Sequence, residues 1–436
     1  MSKEIDEFAL KRVPRNRRLP FIGVALVHAG MLTALDQFML GAALGHGMSI
    51  LDAYTAILIA SIVCGVLTYG MGVAGMQEGM SCSLLSRWCG FGRIGSALIG
   101  IVIAISLMGW FGIQTAIFGK SLDFALGGHM GFKVSAAIAG ILLTLLVSIG
   151  FKALRWIAKF AIPLFITAIC YLSFITLSGH DIPSLIQARP SGEVISISSA
   201  ITIIIGSYTL AALTTPDITR YLSSKKQVLG VSLITIIVGE FIVNGLAITL
   251  ARCINSADVV TIMSTAAGGV GLLIVIFSTL RVNDLNLYSS SLGLANAVEC
   301  LFGVRLNYVI TTLCIGVVGT TLSILGILDR FIDFLELMGI LFPPIVGIML
   351  VEFYFVRTYK PALDSSRITE TLPDQENTPN IVWPGIFGCI FGAIIGFVIT
   401  VGVPAINSLV AASLFYYVVT MLLHRYKLMN KPLQVD

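Results

Sequence analysis

The sequence predicts an all-α polytopic membrane protein with twelve transmembrane helices. Two features of the composition indicate this class: 56% of the 436 residues are hydrophobic and only 11% are charged, whereas soluble domains carry about 25% charged residues. The third observation is that apolar runs of bilayer-spanning length recur along the whole chain. The composition excludes an ordinary soluble domain, and the lipid bilayer is the first partner that the sequence implies.

The individual spans follow from the length of each apolar run, because a membrane-spanning helix needs about 20 mostly apolar residues. Runs of that kind predict spans near residues 21–44, 52–75, 94–119, 134–150, 156–178, 195–215, 229–250, 267–290, 308–327, 332–355, 385–402 and 404–424.

The orientation follows from the lysines and arginines. If both termini lie in the cytoplasm, the inner segments contain most of the 27 Lys and Arg residues, as the positive-inside rule requires. The first twenty residues are polar and basic, without the apolar core of a secretory signal, so we expect the amino terminus to be retained. The predicted location is the inner membrane of the cell.

The spans divide the chain into six predicted regions. They are a cytoplasmic amino tail (1–20), a first repeat of five spans (21–178), a second repeat of five spans (195–355), a solvated cytoplasmic linker (356–384), a final pair of spans (385–424) and a cytoplasmic carboxyl tail (425–436).

Nothing in the sequence indicates a resident cofactor or a metal. The eight cysteines are scattered without metal-ligand or redox spacing, so we interpret them as small buried apolar residues. There is also no phosphate-binding loop with Gly-Lys-Ser/Thr, so ATP is not the expected energy source.

The first and sixth spans contain glycines at positions where a helix could be interrupted. Gly30 lies in span one, and Gly206 with Ser207 lies in span six. Glycine inside a helix costs about 1 kcal/mol relative to alanine and permits unwinding. Interrupted spans five apart are typical of an inverted repeat. Close helix packing is the alternative explanation for these glycines.

Span eight contains charges where the bilayer should exclude them. At about 100° per residue, Arg281, Asp284 and Tyr288 share one side of the helix, and Asn283 and Asn286 share the other. Charged residues at bilayer depth cost a few kcal/mol or more unless they are paired or face water. We therefore expect both sides of this helix to lie inside the bundle.

Several stretches resemble the purine and cytosine permease branch of the nucleobase-cation symporter family. They are residues 108–112 (MGWFG), 206–208 (GSY), 217–221 (DITRY), 283–296 (NDLNLYSSSLGLAN) and 342–347 (FPPIVG). The resemblance extends from the first span to about residue 355. It rests on the combination of these motifs, since no single one is specific.

This resemblance implies the five-plus-five inverted repeat of the leucine-transporter fold, followed by two extra helices. It also implies that a flat heterocycle lies between the rings of Trp110 and Tyr208, because aromatic faces stack on planar bases. The amide of Asn283 would bind the polar edge of the base, since it offers a donor and an acceptor. Backbone groups near Gly30 and Ser207 would complete the site.

The sequence departs from this family at the sodium site. In sodium-coupled relatives two hydroxyl residues directly before that asparagine help to bind sodium, and here Arg281 and Val282 stand in their place. Valine offers no oxygen, and the fixed charge of arginine would repel a cation. Asp36 stands where a neutral residue is expected in helix one, on one face with Thr33 and Gln37.

We therefore expect Arg281 to occupy the vacated cation site and to be balanced by Asp36 or by Asp284. The co-transported ion would then be a proton, with sodium as the alternative. A carboxyl group partly removed from water can carry a proton. The candidates are Asp36, Asp284 and Glu240.

The predicted function is secondary active import of a nucleobase, foremost cytosine, by alternating access. The alternative is the same fold acting on another small heterocycle such as a purine, a hydantoin, allantoin or a thiamine precursor. An intramembrane enzyme would need a nucleophile or metal cluster with suitable spacing, and a channel would show a filter segment; neither pattern is present. We expect no nucleic acid and no obligate protein partner.

Overall fold

The computed structural model describes residues 11–32, 35–148, 165, 167–373 and 378–429. These residues are mostly helical, and none of them forms a β-strand. The α-helices, in chain order, are α1 (Phe21–Leu32), α2 (Leu35–Gly47), α3 (Ile50–Glu78), α4 (Cys82–Ser86), α5 (Gly92–Ala125), α6 (Phe132–Ser148), α7 (Thr167–Ser178), α8 (Ile182–Gln187), α9 (Ile197–Thr219), α10 (Lys225–Thr235), α11 (Asn244–Ile254), α12 (Val259–Phe302), α13 (Tyr308–Ile324), α14 (Phe331–Val351), α15 (Lys360–Ile368), α16 (Trp383–Val398) and α17 (Pro404–Met429).

The apolar helices follow the predicted spans closely. Within the described residues, seven helical stretches are long and apolar enough to cross a bilayer, and the bent pair of α1 and α2 forms an eighth. Four shorter apolar helices, α6, α7, α13 and α16, lie where the remaining spans were expected. The all-α membrane class is therefore confirmed, whereas twelve complete crossings and the six regional boundaries stay predictions.

The first span is interrupted, as its glycine suggested. The axes of Phe21–Gly30 and Leu35–Gly47 differ by 51°. Thr33, which was expected to share a face with Asp36, lies outside the described residues. The interruption leaves the end of α1 and the start of α2 available to neighbouring helices.

The prediction of a break in span six is wrong. Helix α9 continues from Ile197 to Thr219, and the Ser207 hydroxyl donates a hydrogen bond to the Ile204 carbonyl of its own helix. Gly206 serves close packing instead: a Cβ built on it would lie 1.9 Å from the carbonyl oxygen of Leu335 on α14. Helices six and ten therefore touch backbone to backbone, which favours the packing explanation of this glycine.

Span seven consists of α10, a π-helical segment and α11, and it packs closely on α2. The π-helical segment is Ile236–Val243. A Cβ on Gly41 or Gly45 would lie 2.6 Å from the carbonyl oxygen of Asn244 or Ile248, respectively. This contact brings the polar start of α2 against the π-helical segment.

The amino-terminal residues form part of one end of the bundle, which we call the amino-terminal face. The Val13 amide donates to the Gly79 carbonyl after α3, and the Leu19 amide donates to the Tyr221 carbonyl after α9, both at 2.8 Å. The expected solvated linker also contributes: its helix α15 buries Leu363 against this face. The linker is thus partly folded rather than wholly solvated.

Replacing Gly206 by alanine should destabilise the protein. The added methyl group meets a backbone carbonyl that cannot rotate away, so α9 and α14 must separate, and overpacking of this kind costs about 1–3 kcal/mol. Thermal unfolding in detergent, followed by tryptophan fluorescence, would show a lower Tm for Gly206→Ala.

Gly100→Ala is the matched control, because this helical glycine of α5 has no heavy atom within 4 Å of a built Cβ. Alanine is the better helix former, so its Tm should stay the same or rise. Equal melting temperatures for the two variants would contradict the proposed packing role of Gly206.

Candidate functional site

Trp110 lies on α5 and is buried against the first turn of α14. Only 5% of its surface is exposed. The rings of Phe331 and Phe334 meet it edge to face, with centroids 6.2 Å and 5.3 Å away. This arrangement fixes the indole plane, as edge-to-face aromatic pairs prefer.

Two amide side chains beside Trp110 have unused hydrogen-bonding groups. Gln114 follows Trp110 by one helical turn and is fully buried, and neither of its amide atoms has a partner among the described residues. Asn283 on α12 donates from Nδ2 to the Thr115 hydroxyl at 3.1 Å, while no described residue bonds to its Oδ1. Leaving a buried polar group unsatisfied costs about 1–3 kcal/mol. Such a place is suited to a ligand that supplies both donors and acceptors.

Tyr208, predicted to face Trp110 across the substrate, has other neighbours in the described structure. It is fully buried on α9, where its hydroxyl lies near Thr68 and Cys64 of α3. Ser207, the preceding residue, is only half-buried. The two rings thus neighbour different helices, α3 and α14.

Arg281 reaches from α12 to the interruption of the first span. Its Nη1 donates to the carbonyl oxygen of Gly30 at 3.1 Å. Asp36, at the start of α2, is its electrostatic partner without a direct ion pair. Of the two carboxylates expected to balance Arg281, the structure therefore brings Asp36 to the same junction of helices one and eight.

The two polar sides of span eight are not equally buried. Asn283 and Asn286 are buried, but Tyr288 on the opposite side is 40% exposed. Its ring lies 5.8 Å from that of Tyr308 on α13, and Tyr308 is also an electrostatic neighbour of Asp284. The amphipathic character of Tyr288 explains why that side can reach the surface.

A second polar cluster connects α2 with the π-helical segment of span seven. Asn244 donates from Nδ2 to Glu240 Oε2 at 3.0 Å and to Gln37 Oε1 at 3.3 Å. Glu240 is fully buried, and Asp36 is an electrostatic neighbour of it. We call Asp36, Gln37, Glu240 and Asn244 the carboxyl cluster.

The carboxyl cluster contains buried oxygens without hydrogen-bond donors among the described residues. It also has more carboxyl groups than positively charged groups beside it. Asp36 Oδ1, Glu240 Oε1 and Asn244 Oδ1 are buried and have no partner in the part of the chain that the structure describes. Asp36 is the electrostatic neighbour of both Arg281 and Glu240. If both carboxyl groups were ionised beside this one guanidinium, a single bound proton would make the group neutral. π-helical segments occur frequently at functional sites, and here one presents Glu240 to α2.

The sequence reasoning missed Gln114 and Thr115. The signal that could have found them is a glutamine one turn after the motif tryptophan in a span that is otherwise apolar. A polar side chain within a transmembrane helix is costly and is a functional hypothesis by default.

Comparison with known proteins shows the family of the chain. The family model described as "Permease for cytosine/purines, uracil, thiamine, allantoin" matches residues 21–372. The chain belongs to this permease family. The suspected resemblance is thereby confirmed.

Relatives in the family are distant in sequence and match most of the chain. Cytosine permease of Escherichia coli K12 is 23% identical over 423 residues, covering 96% of both chains. Purine-uracil permease NCS1 of Arabidopsis thaliana is 23% identical over 389 residues, covering 80% of this chain and 63% of the plant protein. These relatives carry names of permeases rather than of enzymes.

Solved structures with the same fold are transporters. The inward-facing conformation of Mhp1 superposes with a TM-score of 0.77 at 17% identity, covering 96% of both chains. Mhp1 in a closed conformation with bromovinylhydantoin bound gives a TM-score of 0.73 at 18% identity. The predicted fold, an inverted repeat of the leucine-transporter type, is confirmed by these matches.

Replacing Gln114 by leucine should leave the protein as stable as before or make it more stable. The change removes two unsatisfied buried amide atoms and breaks no hydrogen bond within the protein. The measurement is the Tm in detergent without added substrate.

Asn244→Leu is the comparison variant. It removes the hydrogen bonds to Glu240 and Gln37, and the buried oxygens of those two side chains then lose their donor. We expect it to lose about 1–3 kcal/mol of stability. A lower Tm for Gln114→Leu would mean that Gln114 has a structural partner, against the interpretation given above.

Proposed function

We propose that this protein is a secondary active transporter that imports a nucleobase, foremost cytosine, by alternating access. The observation that supports it most directly is the set of unsatisfied amide groups on Gln114 and Asn283 beside the buried ring of Trp110, in a chain of the cytosine and purine permease family. A nucleobase offers a flat face to an aromatic ring and a polar edge to the amides.

In this proposal Trp110 contacts the face of the base, and Asn283 and Gln114 bind its edge. The Gly30 carbonyl, Ser207 and Tyr208 are further candidate contacts. Tyr208 would need to turn from α3 to reach a base that lies against Trp110. Phe331 and Phe334 would hold the indole in place and exclude water from the base, which strengthens each polar contact.

Import would be coupled to a proton through the carboxyl cluster. Arg281 supplies the positive charge that a sodium ion would otherwise bring to the junction of helices one and eight. Asp36 and Glu240 then share one guanidinium, and a proton taken from outside would neutralise the remaining charge. Asp284 is the less favoured carrier, because Tyr308 on α13 is its neighbour.

We place the protein in the inner membrane with both termini in the cytoplasm, as the distribution of lysines and arginines favours. The alternative function is transport of another small heterocycle by the same site, coupled to sodium. A proton needs no organic cofactor, and we propose none.

Cytosine uptake should persist without sodium. Cells expressing the protein would be given radiolabelled cytosine at constant acidic external pH, with sodium present or replaced by choline. We expect equal rates, since the positive charge of Arg281 disfavours sodium binding beside it. Loss of uptake in choline would support the sodium-coupled alternative, and competition by uracil, adenine and allantoin would identify another substrate.

Neutral variants of the carboxyl cluster should lose the dependence of uptake on pH. Unmodified protein should take up cytosine faster as the external pH falls from about 7.5 to about 5.5, because the proton-binding carboxyl group becomes occupied. Asp36→Asn and Glu240→Gln cannot titrate, so this increase should disappear in at least one of them.

Asp333→Asn is the control, because Asp333 is an exposed residue that pairs with Arg330. It should keep the normal pH profile. Unchanged profiles in both cluster variants would remove Asp36 and Glu240 from the coupling mechanism.

A further inference from the structure

Arg12, in the amino-terminal tail, is buried and uses all of its hydrogen-bond donors. Its Nε donates to the Thr371 carbonyl at 2.6 Å. Its Nη1 donates to the carbonyl and to Oε2 of Glu78, at 2.5 Å and 2.7 Å. Its Nη2 donates to Ser366 Oγ at 2.8 Å and to the Leu363 carbonyl at 3.3 Å. A guanidinium has five N–H groups, so none remains for water.

Glu78, at the end of α3, is shared between two arginines. Arg12 binds its Oε2, and Arg367 binds its Oε1 from α15. Asp364 pairs with Arg367 at 2.9 Å, so the two arginines are balanced by two carboxylates. Burial lowers the pKa of Arg12, and its bond to Glu78 raises that pKa again. We call Arg12, Glu78, Ser366 and Arg367 the latch.

The latch joins segments that belong to different parts of the transporter. In the proposed alternating-access cycle the first two helices of each repeat rock against the other helices. Glu78 ends span two, which belongs to the rocking group. Ser366 and Arg367 lie in the linker after span ten, which does not.

The tail that carries Arg12 is attached to the rocking group. The Val13 amide bonds to Gly79, and the Leu19 amide bonds to Tyr221. Arg18 donates to the carbonyls of Met76 and Leu222, at 3.0 Å and 2.7 Å. These contacts hold residues 12–19 on the ends of spans two and six.

We propose that Arg12 is a positioning residue of the transport cycle that holds the cytoplasmic side of the transporter closed by binding the linker. The inference rests on the proposed function and on the proposed cytoplasmic location of both termini. Rocking moves Glu78 and the tail relative to α15. Three Arg12 bonds, to Thr371, Ser366 and Leu363, and the ion pair of Arg367 with Glu78 cross that boundary and cannot all stretch together. The latch therefore breaks when the cytoplasmic side opens, and its strength sets the balance between the two states.

The experiment measures access to the substrate site without using a substrate. A thiol is introduced by Asn283→Cys, and membrane-impermeant maleimide is applied to right-side-out or to inside-out vesicles. Mass spectrometry of the peptide that contains position 283 gives the labelling rate from each side, independently of the native cysteines. The ratio of inside to outside labelling is compared between Arg12→Gln and Arg17→Gln, both in the Asn283→Cys background. Arg17 lies in the same tail and is exposed.

We expect Arg12→Gln to raise the ratio of inside to outside labelling threefold or more over Arg17→Gln. A smaller change, or a fall in the ratio, would overturn the proposal and leave the latch as a static structural contact. If Arg12→Gln does not fold, Ser366→Ala removes one of the five bonds and should shift the ratio in the same direction; an unchanged ratio there would count against the latch equally.

Cytosine uptake by the unmodified chain is measured separately. Absence of uptake together with a ratio that responds to Arg12→Gln would mean that the proposed substrate is wrong and the latch is right. Cytosine uptake together with a labelling ratio that does not respond to Arg12→Gln would mean that the proposed substrate is right and the latch is wrong.

Discussion

The contact between Arg281 and the Gly30 carbonyl is the constraint on which the rest of the site depends. A guanidinium at bilayer depth must find acceptors or a counter-charge, because lipid offers neither. The interrupted first span supplies a backbone acceptor, and Asp36 supplies the counter-charge. Helices one and eight are thus joined by a fixed charge of the protein at the place where related transporters are expected to bind an ion.

Glycines allow close contacts between helices in this bundle. The proposed functional sites, by contrast, are the places where buried polar atoms have no hydrogen-bond partner among the described residues. Gly206 and Gly41 bring helix backbones together where a side chain would keep them apart. The contacts of Gly41 place the carboxyl cluster between α2 and span seven, with three oxygens that no group of the described residues satisfies. Buried polar groups without partners reduce stability. Their presence beside a tryptophan and beside an arginine is the basis of the two proposals made above, a ligand site and a proton site.

The amino-terminal tail is fixed to the end of α3 by a buried ion pair between Arg12 and Glu78. Arg12 bonds to Glu78 and to Ser366 of the linker helix α15. Residues distant in sequence therefore pack together at the amino-terminal face. Charged tails are usually solvated, and the basic composition of residues 1–20 gave no indication that one arginine is buried. Only its position between two helix ends distinguishes Arg12 from Arg15 and Arg17.

The sequence by itself determined the membrane class, the approximate positions of the apolar helices and the family, because these follow from apolar run length and local motifs. Tertiary structure decided what each polar residue contacts. Gly206 could have marked a break or a close contact, and only the neighbouring carbonyl of Leu335 settles which. Arg281 could have paired within its own helix, yet it reaches helix one. Hydrogen bonds between helices join residues hundreds of positions apart, and no local pattern encodes such distances.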